Sequence, residues 1–293
     1  MITREFGKTG LRVSALGFGA GHIGSQSMDD AYAGTLLNRL VDRGVTLIDT
    51  ARGYGLSEER IGRHLSWRRK DFVLSTKVGY GIPGHADWTF GCIVAGVEEA
   101  LRLMRTDRID IVHLHSCPKT ILEAGEVIAA LEKCRNEGKI LSAAYSGENE
   151  ALDFAVETGR FDSVECSVNL CDQRSLSGAV ARASERGMGV IAKRPVANAP
   201  WRFAERPAGD YSEEYWHRWK TMAIDPRGIG WNELALRFTA YSNGVASCIV
   251  GTTSLDHIEE NIRALDQGPL DAPLYDSIRD AFRRWDREWT GQV

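Results

Sequence analysis

The sequence predicts an α/β fold: a (β/α)8 TIM barrel with an N-terminal β-hairpin covering the barrel bottom, in one domain over residues 1–293. Two observations predict it. From Ala15 onward, eight short apolar runs alternate with segments of helical periodicity at a spacing of roughly 25–40 residues. Such alternation implies a parallel sheet, and eight units in about 250 residues fit a closed barrel better than a doubly wound sheet. No Pro/Ser-rich linker or change of composition divides the chain.

Residues 3–6 and 11–14 are short polar strand formers joined by GKTG, which reads as the hairpin. The first barrel strand, 15–19, runs into the glycine-rich turn GFGAGHIG, and a helix follows Asp29 and Asp30. Strand 46–48 leads to a helix at Ser57–Leu65, with Ser57 as N-cap and Glu58 and Glu59 in its first turn. Strand 72–76 precedes a helix near 93–104, and strand 109–114 precedes one near 122–137. Strand 141–145 precedes helix 150–157, strand 163–168 precedes helix 175–185, and strand 189–192 follows. An aromatic insertion covers about 200–228; then come helix 231–241, strand 246–250, helix 255–265 and a final helix near 272–289.

Composition excludes several classes of function. Hydrophobic residues make up 43% and charged residues 26% of the chain, the balance of a soluble globular protein. No run approaches the roughly 18 apolar residues of a membrane span, and the N-terminus lacks the apolar core of a secretory signal. The six cysteines are scattered without a CxxC spacing, as expected for reduced thiols in the cytoplasm and not for a zinc site. Net charge is −4 with both signs interspersed, so neither a nucleic acid nor a membrane is expected as partner.

Barrels place functional groups at the C-terminal ends of their strands. Asp49 ends the second strand in GVTLIDTARGYGLSE, Lys77 ends the third in VLSTK, and His115 ends the fourth in IVHLH. Tyr54 follows Asp49 on the same loop. Taken singly, Asp49 reads equally well as a helix cap and Tyr54 as a loop aromatic. Adjacent strands lie about 4.7–4.9 Å apart, so the four side chains can converge. A free phenol, with a pKa of about 10, is too weak an acid near neutrality, and a neighbouring ammonium lowers it. Asp49 would keep Lys77 charged despite burial, and His115 could hydrogen-bond a carbonyl oxygen. None of the four is an obvious nucleophile, and no metal-ligand set is apparent. Protonating a carbonyl still requires an electron pair that side chains do not supply, which implies a nicotinamide cofactor. In VGTTSLDHIEEN, Gly251, Thr252 and Thr253 stand at a helix N-terminus after the eighth strand, where phosphate is favoured. Thr253 or Ser254 could equally be only the N-cap. No GxGxxG opens a βαβ unit, so a Rossmann domain is not expected.

Over nearly its whole length the sequence resembles the aldo-keto reductases, through LGFG, IDTARGYGLSE, STK, IDIVHLH, EGKILSAAYS and GTTSLDHIEEN in the family's order. The resemblance implies a catalytic tetrad of Asp49, Tyr54, Lys77 and His115, with Tyr54 as general acid and hydride passing from nicotinamide C4 to the carbonyl carbon. It implies a cofactor extended across the barrel mouth, against Gly19, Ala20, Asp49, Ser146, Glu165, Lys193, Arg194, Pro195, Gly251, Thr252, Thr253, His257, Glu260 and Asn261. NADP(H) is the family's commoner choice, with NAD(H) as the alternative, because the cations that often grip the 2′-phosphate fall on Gly251 and His257. Other positions also depart from the family pattern. Gly147 stands for an Asn, Glu165 for a Gln that holds the carboxamide, and Lys193 for the aromatic that stacks on the nicotinamide. Lys193 and Arg194 are expected to meet phosphate charge instead.

Substrate is expected against Tyr54, Trp88, His115 and Trp201. Trp201, Phe203, Tyr211, Tyr215, Trp216 and Trp219 either line an aromatic pocket or form a small core of the insertion itself. His113 reads as a core histidine, Trp285 and Trp289 as packing for the last helix, and Cys117 as a thiol without an activating neighbour beyond His115. The expected function is NAD(P)H-dependent reduction of aldehydes or ketones by a monomer or small homo-oligomer. The alternatives are an NAD-dependent aldose or alcohol dehydrogenase, or a non-catalytic nucleotide-sensing module of the kind that serves some relatives as a channel subunit. The intact tetrad weighs against the last.

Overall fold

The eight apolar runs close on one another as a parallel barrel in the computed structural model, which describes residues 1–292. Strands β1 (Thr3–Glu5) and β2 (Arg12–Ser14) form the antiparallel hairpin. The barrel strands are β3 (Leu16–Gly19), β4 (Leu47–Asp49), β5 (Val73–Val78), β6 (Ile109–His115), β7 (Ile140–Ser146), β8 (Ser163–Ser167), β9 (Gly189–Lys193) and β10 (Ser247–Val250). Each pairs with its neighbour in the chain, and β10 returns to β3. Around them run α1 (Asp30–Asp42), α2 (Ser57–Leu65), α3 (Phe90–Leu103), α4 (Lys119–Ala124), α5 (Glu126–Asn136), α6 (Asn149–Glu157), α7 (Arg174–Ser177), α8 (Ala179–Glu185), α9 (Glu213–Met222), α10 (Trp231–Ala240), α11 (Leu255–Asp266) and α12 (Ala272–Trp285).

The hairpin closes the N-terminal end of the barrel, as expected. Phe6 is buried there among Leu47, Val73, Ile111, Ala144, Ile191 and Ile249, the lowest layer of the interior. Removing each of these side chains except that of Ala144 from water contributes about 1.5–3 kcal/mol. The Lys8 amide donates to Gly187 O at 2.8 Å, tying the hairpin to the approach to β9. Outside the barrel, Leu36, Leu37, Ile61, Val97, Leu131 and Val180 belong to the main core, between helices and strands.

The next layers upward are polar. Side chains two apart along a strand share a face, so Leu47 and Asp49, then Val73, Ser75 and Lys77, then Ile111, His113 and His115, climb the same side from an apolar floor to a charged mouth. Register sets Asp49 beside Ser75, Lys77 beside His113, His115 beside Ser146 and Ser146 beside Glu165.

Several expected elements differ. The helix expected over 122–137 is two, α4 and α5, because Gly125 takes a left-handed φ of 77° and ends the first. Gly178, with a non-helical backbone at φ −112° and ψ −110°, divides 175–185 into α7 and α8. The insertion contains α9. Ser57 is not a cap: it is the first residue of α2, and its hydroxyl accepts from Thr50 Oγ1 and donates to Ala20 O, each at 2.8 Å. The last helix stops at Trp285, which is 39% exposed, while Trp289 lies beyond it with its ring against Phe282. No helix among the described residues is long and apolar enough to cross a membrane.

Candidate active site

Lys77 is the centre of the site. Its ammonium is fully buried, donates to Asp49 Oδ2 and to Thr50 O (3.0 Å), and lies 3.5 Å from Glu165 Oε1. Asp49 Oδ1 accepts from Ser75 Oγ at 2.8 Å. The same ammonium is 5.4 Å from the centre of the Tyr54 ring, and that ring meets His115 edge-on at 5.9 Å. The four side chains expected to converge are therefore together at the barrel mouth.

Tyr54 reaches this point because the chain just after it is pinned. The Leu56 amide donates to Gly24 O at 3.0 Å, and the Ser57 hydroxyl anchors the start of α2. Gly24 leaves no room for a side chain: a Cβ there would stand 1.7 Å from Tyr54 O.

Two carboxylates confront the one ammonium, and their acidities diverge. Burial and the Glu165 charge push Asp49 up to about 7, against the pull of Lys77. Burial opposes ionisation of Glu165 too, but Lys77, His113, Lys193 and His115 hold it at about 2. Burial alone would neutralise Lys77; the two carboxylates reverse this and raise it above its ordinary value. Lys77 draws the Tyr54 phenol down, but burial, Asp49 and Glu165 together leave it above its ordinary value. The expectation of a lowered phenol pKa is thus not met in the free protein.

His115 is held neutral: burial, then Lys77, lowers it to about 3. Its Nδ1 is 2.8 Å from the Tyr80 hydroxyl, and the two rings stack at 5.6 Å. Tyr80 retains its proton because burial raises its pKa, so it donates to Nδ1 and leaves the imidazole proton on Nε2 for an incoming oxygen. Tyr80 was not singled out from the sequence; its signal was a tyrosine three residues past Lys77, at the rim of the same strand. His113 is buried as expected, and burial lowers it to about 4. Oxygens of Asp49 and Glu165 and a nitrogen of His113 come within 4.8 Å of one another, but the Lys77 ammonium already rests on both carboxylates.

From the tetrad a groove of about 1500 Å³ runs across the mouth to α11. Its floor is bare where Gly19 and Gly251 face each other, and its far wall is one face of α11, with His257, Glu260, Asn261, Ala264 and Gln267 at helical spacing. Ser254 caps α11, accepting from the His257 amide, so Thr253 is not the cap and its carbonyl instead accepts from Tyr32. A long groove with a glycine floor and a helix N-terminus fits an extended dinucleotide. His22 and Arg263 also line it and were not foreseen. Ala20 is wholly buried, its amide on Asp49 O at 2.7 Å, and so supports the floor from beneath.

The departures have structural causes. Gly147 is required because a Cβ there would lie 2.3 Å from the Tyr145 hydroxyl, which donates to Cys117 O at 3.1 Å. Ser146 donates to Glu165 Oε1 at 3.1 Å. Lys193 and Arg194 line the groove with Pro195, but both cations already have protein partners. Lys193 pairs with Glu148 at 3.2 Å, and Arg194 donates to Ser167 Oγ, Gln292 O and the Tyr211 hydroxyl. Trp201 and Tyr211 line the mouth, whereas Trp201, Trp219 and Tyr215 also build a second core with Leu170, Leu234 and Phe238. The insertion is thus both pocket wall and core. Trp88 stands one ring back from the groove, edge-on to Tyr80 at 5.9 Å. Burial pushes the Cys117 thiol up to about 12, which leaves it inert.

Known proteins are similar to this chain over most of its length. L-galactose dehydrogenase of Arabidopsis thaliana is 27% identical over 90% of this chain and 88% of its own. A probable voltage-gated potassium channel subunit beta of Arabidopsis thaliana is 27% identical over 94% of each chain. Among solved structures, an aldo-keto reductase from Bacillus halodurans in its holo form superposes with a TM-score of 0.84, at 27% identity and covering 96% of both chains. With the family model matching residues 15–282 and the oxidoreductases among its relatives, the chain belongs to the aldo/keto reductase family.

Proposed function

We propose that this protein is an NAD(P)(H)-dependent oxidoreductase that interconverts carbonyl and hydroxyl groups on small molecules, within a single barrel domain. The observation that carries the reading is the Lys77 ammonium fixed between Asp49 and Glu165 and directed at Tyr54, with a neutral His115 beside it. Bound in the groove, the nicotinamide supplies or accepts hydride. The side chains do the rest. His115, its proton held on Nε2 by Tyr80, donates to the substrate oxygen and orients it. Tyr54 gives its proton to that oxygen in reduction and takes it back in oxidation. Lys77 stabilises the phenolate left behind, and Asp49 keeps Lys77 in place.

Aldehydes and ketones are the primary substrate class. Aldoses are a second, favoured by the L-galactose dehydrogenase relative and by Trp201 at the mouth, whose ring stacks on Trp231 at 5.8 Å. NADPH and NADH consumption should be followed against aldehydes, ketones and aldoses, in both directions, for the wild type and Tyr54→Phe. Loss of the positioned phenol is expected to lower turnover by about 10²-fold or more. Full activity in the variant would remove Tyr54 from the mechanism, and tight cofactor binding without any turnover would favour a sensing module.

A further inference from the structure

Glu165 is an expensive residue to keep. It is 1% exposed, its Oε1 accepts one hydrogen bond from Ser146, and its Oε2 has no partner. Burying a half-satisfied carboxylate carries a desolvation penalty that an uncharged amide of the same shape would largely avoid. The Lys77 ammonium has its closer partner in Asp49, and Glu165 Oε1 lies 3.5 Å away.

The consequence is a charge imbalance at the bottom of the groove. The groups that face this point are Asp49, Lys77, Glu165, Tyr54, Tyr80, His113, His115 and, from β9, Lys193. Tyr54 and Tyr80 keep their protons, and His113 and His115 are neutral. Lys193 is spent on Glu148 at 3.2 Å. Above about pH 7, where Asp49 as well as Glu165 is ionised, Asp49, Glu165 and Lys77 leave one negative charge, fixed where water is scarce.

We propose that Glu165 makes this site select the oxidised form of its cofactor. The inference rests on the nicotinamide reading above. The oxidised ring carries a positive charge that the reduced ring lacks, so a fixed anion binds the two forms unequally, and does so strongly in a low-dielectric pit. The protein then loads with the oxidised form and releases the reduced one readily. Each tenfold in the ratio of the two dissociation constants lowers the potential of the bound couple by about 30 mV.

Dissociation constants for NAD⁺, NADH, NADP⁺ and NADPH should be measured by calorimetry at a pH about one unit above the Asp49 midpoint of about 7, without substrate, on the wild type, Glu165→Gln and Glu165→Asp. The wild type is expected to bind the oxidised member of its preferred pair more tightly. Glu165→Gln should shift the oxidised-to-reduced ratio by about 10- to 100-fold toward the reduced form, and Glu165→Asp should preserve it. A wild type that favours the reduced form, or a Gln variant with an unchanged ratio, overturns the role of Glu165 while leaving the nicotinamide reading intact. A wild type that binds none of the four overturns that reading itself. The wild-type ratio decides the matter even if the Gln variant does not fold.

Discussion

His115 and Tyr80 are a case where one hydrogen bond settles the chemistry of a residue. A histidine with a pKa near 6.5 is cationic for part of the physiological range, and a cationic imidazole would compete with Lys77 for the same electrostatic field. Burial and Lys77 prevent this, holding His115 at about 3 and His113 at about 4. Both rings are therefore expected to remain neutral from about pH 5 to 8 in ¹H–¹⁵N histidine spectra, and a midpoint near 6.5 for either would contradict the assignment. Activity is expected instead to change near neutrality, where Asp49, raised to about 7 by burial and the Glu165 charge, titrates beside Lys77. Asp49, Lys77 and His115 were legible in the sequence because strand ends in a barrel are fixed by pattern. The pairing of Tyr80 with His115 was not, since it depends on how a loop folds back over β5.

At the scale of an element, the turn at 22–24 and the start of α2 hold Tyr54 as a unit. Their backbones approach so closely that neither will accept a side chain at Gly24. Gly24→Ala is expected to destabilise the protein by roughly 1–3 kcal/mol and to lower activity further by moving Tyr54. Urea unfolding alongside turnover checks this; an alanine variant as stable and active as the wild type would show that the loop is not under this constraint. The sequence marked the turn by its glycines but not the contact, which joins segments about 30 residues apart. Helical periodicity likewise ran through Gly125 and Gly178, because a one-residue break leaves the apolar pattern on each side intact.

For the whole molecule, the chain end acts as a strap across the insertion. Arg218, buried on α9, donates to Thr290 O at 2.9 Å, Asn149 exchanges hydrogen bonds with Gly291, and the Gln292 amide donates to Asp172 at 3.4 Å. Asp172 also accepts from the Tyr215 hydroxyl at 3.3 Å. Burial and the Glu148 charge raise its pKa from 3.8 to about 7. A carboxyl raised on folding holds its proton in the native state when the unfolded chain has lost it, so its contribution falls as pH rises from about 4 through about 7. Asp172→Asn removes that cost. Its stability relative to the wild type is expected to rise between about pH 5 and pH 8, by up to about 2.7 kcal/mol. Denaturant melts at several pH values test it, and a gap independent of pH would mean that Asp172 is not protonated in the native state.

The sequence alone determined the barrel, the order of its strands and the residues that end them, because alternation with period 2 and period 3.6 is a local property that closure does not alter. It also placed the groove, since a glycine turn and a helix start after the last strand are local signals. Only tertiary structure decided the charges. Which carboxylate faces Lys77 with one oxygen left unbonded, which cations are already paired and which phenol fixes His115 all follow from side chains brought together across strands and loops far apart in the chain. Their acidities depend on burial and on neighbours at a few ångströms, and neither is encoded in any single stretch of sequence.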